Sequence, residues 1–460
     1  MKKRSMCVQT LSVLALTAVG CGSPSSGSTW HHDATVQGAS AQAATIQAIA
    51  PALEVAGAPM QPSAAGAAGG APVAGSAAPV MSLRCQADAS LPQQTDYATP
   101  GPLEVATLDL TFEDTSRPIA QTSTHAAAPS RRLVTTIYYP TQGTRLFGAA
   151  PLADGGPFPL VMYSHGYSST RGEAAAAANR LVSRGYIVVS ADFPLSNMLA
   201  NNGSPDSGDV GNQPGDVSFL IDRVLELSKD PGHVLANAID PARIGATGVS
   251  MGGTTTLLVS LHPKLHDPRI SVSMPIAPLS SFLLEGFYHT RPLPLLLLSG
   301  DLDAFIDYKT NARRSFELAQ PNAHLVTLAN GSHAAFAIQF DAGTVALLNG
   351  LLGKPGADPS NPDGFGCGAV ADTLNAAPNF VDSLGGPEEF IQLDPESPLA
   401  PCTGDEYKHP AMDPTKQVEV TAAAVAAYMD AHLAADSERR RDACRYVLHE
   451  LPKLPGVTVE

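Results

Sequence analysis

The stretch Gly248-Val249-Ser250-Met251-Gly252-Gly253 sets a serine among small residues, between a short apolar run, Ala242 to Thr247, and a second one, Thr254 to Leu261. A serine at such a strand-turn-helix junction is a candidate nucleophile. Only glycine-sized neighbours fit so tight a turn, and the turn lifts the hydroxyl oxygen clear of the sheet. A serine hydroxyl also needs a base to take its proton and a carboxylate to orient that base. The chain supplies both downstream, in the order serine, acid, histidine. Leu295 to Ser299 leads into Gly300-Asp301-Leu302-Asp303, and Leu325 to Leu328 leads into Ala329-Asn330-Gly331-Ser332-His333. Asp303 is the expected acid, with Asp301 and Asp307 as rivals; Asp301, nearest the strand, suits the turn itself. His333 is the expected base. His165, His262, His266, His324 and His409 precede the acid, open a strand or fall in a later loop-rich stretch. His165 is expected to pack under a loop, and His324 to be an ordinary surface or strand-start residue.

An oxyanion would need two fixed backbone donors. The Met251 amide, just after the nucleophile, and the Tyr167 amide, in the loop after His165-Gly166, are the candidates. Together these groups would run acyl transfer through an acyl-enzyme.

The elements that must position them follow from hydrophobic patterning. Leu133 to Tyr139 (ended by Pro140), Leu160 to Ser164, Ile187 to Ala191, Ile270 to Ala277, Pro294 to Ser299 and Leu325 to Leu328 read as strands. Glu173 to Ser183, Val217 to Leu227 with Asp216 as its cap, Tyr308 to Ala319 and Thr421 to Leu433 read as helices. Buried strands alternating with helices predict an α/β fold: a mostly parallel, doubly wound sheet with helices on both faces and its chemistry at the carboxyl ends of the strands. Pro278 to Pro292 is too short for a bulky cap between two sheet strands. An insertion follows the candidate base instead, residues 340–415, rich in Pro, Gly and Asp. Within it, Asp358-Pro359-Ser360-Asn361-Pro362-Asp363-Gly364 has a faint likeness to a calcium loop without the spacing of an EF-hand. No metal or other cofactor is expected. Phe282, Leu283, Leu284, Phe287, Phe305 and Phe336 are candidate walls of an open apolar acyl site, with core packing as their ordinary alternative.

The chain of 460 residues is 44% hydrophobic and carries a net charge of −15, a balance that argues against nucleic acid and anionic membrane surfaces as partners. No phosphate loop, basic patch or zinc motif competes with the serine site. Lys2-Lys3-Arg4, the apolar run Leu11 to Val19 and the small residues before Cys21 read as an export signal over 1–20. The Gly20-Cys21 junction resembles a bacterial lipoprotein signal, which implies a lipid on Cys21 and a cell-envelope location, with plain secretion as the alternative. Residues 21–82, dominated by Ala, Gly, Ser and Pro, read as a flexible tether, and 83–460 as the catalytic domain. Of six cysteines, Cys7 lies in the signal and Cys21 takes the lipid. Cys85, Cys367, Cys402 and Cys444 remain, an even number suited to two disulfides in an oxidising compartment. Three connectivities are open; Cys367 with Cys402, both in the insertion, and Cys85 with Cys444, tying the ends, is the favoured one.

His165-Gly166-Tyr167 after a strand, the serine turn, Gly300-Asp301-Leu302-Asp303 and Gly331-Ser332-His333 together resemble the α/β-hydrolase superfamily. Within it the chain is similar to the platelet-activating-factor acetylhydrolase-like and dienelactone-hydrolase-like group, whose entry segment Tyr97 to Pro102 and Asp114 to Pro118 resemble. It is also similar to cutinase-like polyester hydrolases, through Ser250-Met251-Gly252-Gly253 and Tyr167. The likeness spans Pro100 to Gln339 and the late helix. It implies an α/β-hydrolase fold and a carboxylic ester hydrolase acting on short-to-medium acyl or lipid-like esters. A polyester hydrolase or an acyltransferase is the alternative, and an inactive surface-tethered binding protein is the alternative from another class. Dienelactone hydrolases proper use a cysteine nucleophile, which Ser250 is not. The partners expected are a small-molecule or lipid ester, and a membrane only through the lipid anchor.

Overall fold

The computed structural model describes residues 84–460 except 122–124, 144–147, 338–339, 370–379 and 394–399. The expected export signal, Cys7, Cys21 and the tether lie outside the described residues.

Nine strands form one sheet in the order β1-β2-β4-β3-β5-β6-β7-β8-β9. In chain order they are β1 (Glu104–Asp114), β2 (Arg131–Thr141), β3 (Phe158–Ser164), β4 (Ile187–Asp192), β5 (Ile239–Val249), β6 (Ile270–Ile276), β7 (Leu295–Gly300), β8 (Ala323–Leu328) and β9 (Val457–Val459). β4, β3, β5, β6, β7 and β8 run parallel to one another, while β2 with β1 outside it, and β9 at the other edge, join antiparallel. This is the mostly parallel sheet of the α/β-hydrolase fold.

The central strands are apolar because both their faces are covered. Val161 and Tyr163 point into one core with α1 (Ala175–Val182) and the late helix Pro414–Leu433. Leu160 and Met162, one residue out of phase, point into a core on the opposite face with α2 (Gln213–Lys229). A further cluster on α3 (Met251–Leu261) includes Phe282, Leu283 and Phe287. Disulfides join Cys85 to Cys444 and Cys367 to Cys402, the favoured pairing.

Some expectations need correction. Asp216 does not cap α2: it lies inside the first turn, fully buried, and its carboxylate accepts from Arg131 at 2.6 and 2.7 Å and from Arg117 at 2.7 Å. The helix begins earlier, with Gln213 and Pro214 in its first turn, where a proline has no amide to waste. Pro140 does not end its strand, which runs on to Thr141: pairing with β4 has already stopped at Tyr138, Pro140 pairs with Val105 of β1, and its carbonyl accepts from the Ala153 amide at 2.9 Å. The late helix starts at Pro414 rather than Thr421, capped by the Asp413 carboxylate on the Lys416 amide. Phe282, Leu283 and Phe287 are not walls of an open site. They are fully buried, because residues 390–392 of the insertion hydrogen-bond to Leu284 and Phe282 and close over them.

Candidate active site

Ser250 sits between β5 and α3 with φ 60° and ψ −121°, a conformation that side-chain-bearing residues rarely adopt. Its surroundings impose it. A Cβ on Gly248 or Gly252 would run into the Ser164 carbonyl, and one on Gly253 would press on the Ile276 carbonyl. The Ser250 amide donates to that same Ile276 carbonyl at 2.9 Å. The serine is half-buried, and Met251 opens the helix, so its amide has no acceptor within the helix.

The acid and base loops leave β7 and β8, which are adjacent. Gly300 and Gly331 pass so close that a Cβ on Gly300 would occupy the Gly331 backbone, and the Leu302 amide donates to the Gly331 carbonyl at 3.1 Å. This brings Asp303 Oδ2 to 2.7 Å from His333 Nδ1. Asp303 Oδ1 accepts from the Phe305 and Ile306 amides at 2.9 and 2.7 Å, which locks the carboxylate. The rivals are engaged elsewhere: Asp301 accepts from the Asn330 amide at 2.6 Å, and Asp307 from the Thr310 amide at 2.8 Å. An ionised carboxylate only accepts, so Nδ1 of His333 carries the hydrogen and Nε2 keeps a free lone pair. Burial works against the His333 imidazolium, but the Asp303 carboxylate outweighs it and the net shift is upward; Asp363 and Glu173 add to it. The Phe305 ring stacks on the imidazole with centroids 5.1 Å apart.

On the other side, no described acceptor lies against the Tyr167 amide, while the Tyr167 hydroxyl donates to the Pro205 carbonyl at 2.9 Å. His165 is buried beneath this loop, as expected, and accepts from the Phe193 amide at 3.1 Å. Burial lowers its pKa and keeps it neutral. His324 does open a strand, but it is buried rather than on the surface, and accepts from the Cys85 amide at 3.1 Å. Burial takes its pKa down to about 4.

Two carboxylates beside the site escaped the sequence reading, one half-buried and one fully buried. Glu173 accepts from the Gly166 amide at 3.2 Å and from the Tyr163 hydroxyl at 3.1 Å, just below the candidate oxyanion loop. Burial raises its pKa to about 7, against the pull of its hydrogen bonds to Ser169, Gly166 and Tyr163. It lines a cavity of about 20 Å³ with Val249, which precedes the serine, and Phe336, which follows the histidine. Its signal was a lone acid opening an Ala-rich helix. The second is Asp363, in the segment that resembled a calcium loop. Asp358 there accepts from the amide and hydroxyl of its own neighbour Ser360, at 2.8 and 2.6 Å. Asp363 accepts backbone amides of the acid and base loops.

The chain is similar to several known proteins. The PET hydrolase-like family model matches residues 111–348, a span that contains Ser250, Asp303 and His333. Cutinase 2 of Thermobifida cellulosilytica is 27% identical over 178 residues, 39% of this chain and 56% of that one. Cutinase cut1 of Thermobifida fusca is 27% identical over 178 residues, 39% of this chain and 46% of that one. The chain thus spans about half the length of the curated relatives it matches. Among solved structures, a ferulic acid esterase from Streptomyces cinnamoneus aligns with a TM-score of 0.46 at 19% identity, over 75% of this chain and 97% of that one. Of the likenesses read from the motifs, the cutinase-like one has its counterpart here.

Proposed function

This chain belongs to the PET hydrolase-like family, and on that premise we propose that it is a serine carboxylic ester hydrolase in which Ser250, Asp303 and His333 form the triad. The observation that carries the reading is the 2.7 Å contact from Asp303 to His333, on loops of the same sheet whose β5 leads into the strained Ser250. Ser250 Oγ attacks the ester carbonyl carbon while His333 Nε2 takes its proton. The carbonyl oxygen becomes an oxyanion held by the Met251 and Tyr167 amides. The intermediate collapses, the C–O bond to the alcohol breaks, and His333 returns the proton to the departing alkoxide. Water then attacks the acyl-enzyme, His333 takes the water's proton, and Ser250 Oγ leaves with that proton as the acid product forms. Asp303 orients the imidazole and stabilises its cation throughout.

The family description and the cutinase relatives favour a polyester or comparable apolar ester over a soluble acetyl ester within this class. Acyl transfer to an alcohol would use the same intermediate. The test is hydrolysis of p-nitrophenyl esters from acetate to palmitate, and release of acid from a polyester film, by wild type and Ser250→Ala. Turnover lost in the variant establishes the serine esterase. Release from the film sets the substrate class, and an unchanged rate in the variant sinks the reading.

We also propose export, with Cys21 as the lipidated residue. Two disulfides in the domain support an oxidising compartment. Among the described residues no helix is long and apolar enough to cross a membrane. Metabolic labelling with a fatty acid, lost in Cys21→Ser, is the expected result; labelling that survives the change contradicts it.

A further inference from the structure

Asp363 begins the helix Asp363–Ala369 inside the insertion, and its side chain is fully buried. Three backbone amides converge on its carboxylate. Oδ2 accepts from Ala304 at 2.9 Å and from His333 at 3.0 Å, and Oδ1 accepts from Ala334 at 2.7 Å. Ala304 follows the candidate acid and Ala334 follows the candidate base. One side chain therefore ties together the two loops that present Asp303 and His333 to each other.

The carboxylate is itself held. The Asp363 amide donates to Asn361 Oδ1 at 2.9 Å, and Asn361 Nδ2 donates to the Glu406 and His409 carbonyls at 3.0 Å each. The insertion grips the same loops at two more points. The Cys402 amide donates to the Ala304 carbonyl at 2.6 Å. Gly366 lies so close under Phe305 that a Cβ there would meet the ring at 2.9 Å, and that ring stacks on His333. The Cys367–Cys402 disulfide joins the two gripping segments.

We propose that Asp363 is a positioning residue for the Asp303–His333 pair, and that the insertion braces the acid and base loops through it. The proposal rests on the triad reading above and deepens it. The chemistry of the donor set explains the residue type. Three buried amides need acceptors, and leaving one unmet is costly. A carboxylate has lone pairs for all three, whereas an asparagine would turn an NH2 group toward one of them. The charge matters as well. The groups facing His333 are Asp303, Asp363 and Glu173, and each favours the imidazolium. Burial raises the Asp363 pKa to about 6, with Asp303 adding to the rise, while His333 and the amides oppose it.

The test uses the full chain as wild type, Asp363→Asn and Asp358→Asn, the last removing a carboxylate of the same loop that touches neither catalytic loop. Two readouts are taken: amide hydrogen exchange over residues 301–308 and 331–337, and the pH profile of ester hydrolysis. In Asp363→Asn, exchange at Ala304, His333 and Ala334 rises by about tenfold or more while the rest of the chain is unchanged. kcat falls about 10- to 100-fold with KM within about twofold, since a small misplacement of catalytic groups costs this much. The acidic limb of kcat/KM moves to lower pH, because one anion beside the imidazolium is gone. Asp358→Asn behaves as wild type in both readouts. The proposal is overturned if Asp363→Asn exchanges like wild type at the three amides, or if exchange rises throughout the chain and kcat falls only with the folded fraction. Wild type alone tests it too. These amides lie outside the sheet ladder and the helix interiors, so free exchange at them in the unmutated protein contradicts the brace. Failure of the esterase reading looks different: no ester is turned over by wild type, while exchange still responds to Asp363→Asn.

Discussion

Ser250 is held by its own turn and the strands beside it, whereas the loops of Asp303 and His333 are also tied together by a residue of a later insertion. Around the serine, a Cβ on Gly248, Gly252 or Gly253 would collide with neighbouring backbone, and the Ile276 carbonyl fixes the amide. That half of the site is β5, its turn and α3, pressed against the ends of the neighbouring strands β3 and β6. The acid and base sit on two loops that meet through Gly300 and Gly331, and the buried Asp363 carboxylate ties them together from the insertion. A nucleophile needs a rigid, strained presentation that local sterics supply. A hydrogen-bonded acid–base pair needs register between two separate loops, and register between separate segments takes a third one.

The largest effect in this contrast is expected from Ser250→Ala, which removes the proposed nucleophile and should lower kcat by about 10⁴-fold or more without changing the melting temperature by more than a few degrees. Activity assays and a thermal melt on the same preparation check it. Asp303→Asn should come next, at about 10³- to 10⁴-fold in kcat, because the imidazole loses the partner that sets its tautomer. In wild type, activity should climb with pH through a limb above the ordinary imidazole value of 6.5, since His333 as the proposed base must be neutral and its pKa is shifted up. A limb at or below that value would contradict the electrostatic account.

A smaller effect separates the two halves. Replacing both Cys367 and Cys402 by serine opens the loop of sequence separation 35 that anchors the brace. It should cost about 4 kcal/mol of stability and roughly tenfold in kcat, while amide exchange at Ser250 and Thr254 stays as in wild type. Faster exchange at those two amides as well would mean that the two halves are not held independently. The smallest effect concerns Glu173. Its folded-state pKa of about 7 lies above the usual carboxylate value of 4.5, so the folded protein binds this proton more tightly than the unfolded chain does. Its contribution to stability is therefore present below about pH 4.5 and is lost as pH rises through about 7. Glu173→Gln should remove that loss and gain on the order of 2 kcal/mol relative to wild type above pH 7. Melting curves at pH 5 and pH 8 give the comparison.

The same contrast explains what the sequence revealed. Ser250, Asp303 and His333 stand out as candidates because each follows an apolar strand and a glycine turn, which are local signals. The parallel strands were legible as unbroken apolar runs. β1 was not read, although Leu108, Leu110 and Phe112 alternate as a half-exposed strand should. Asp216 looked like a cap because its burial against Arg131 depends on contacts far away in sequence. Phe282, Leu283 and Phe287 looked like pocket walls because nothing near them announces the segment that covers them. Asp363 was hidden for the same reason. Acidic residues between prolines and glycines suggest a loop or an ion site, and only the fold brings the Ala304, His333 and Ala334 amides onto this one.

The central claim is that Ser250 is a nucleophile activated by His333. It is tested most directly by treating the full chain with a fluorophosphonate probe and mapping the adduct by peptide mass spectrometry. The account predicts a single adduct on Ser250 in wild type, and labelling slowed by orders of magnitude in His333→Gln. An adduct on another residue, or equally fast labelling of Ser250 without the histidine, would contradict it.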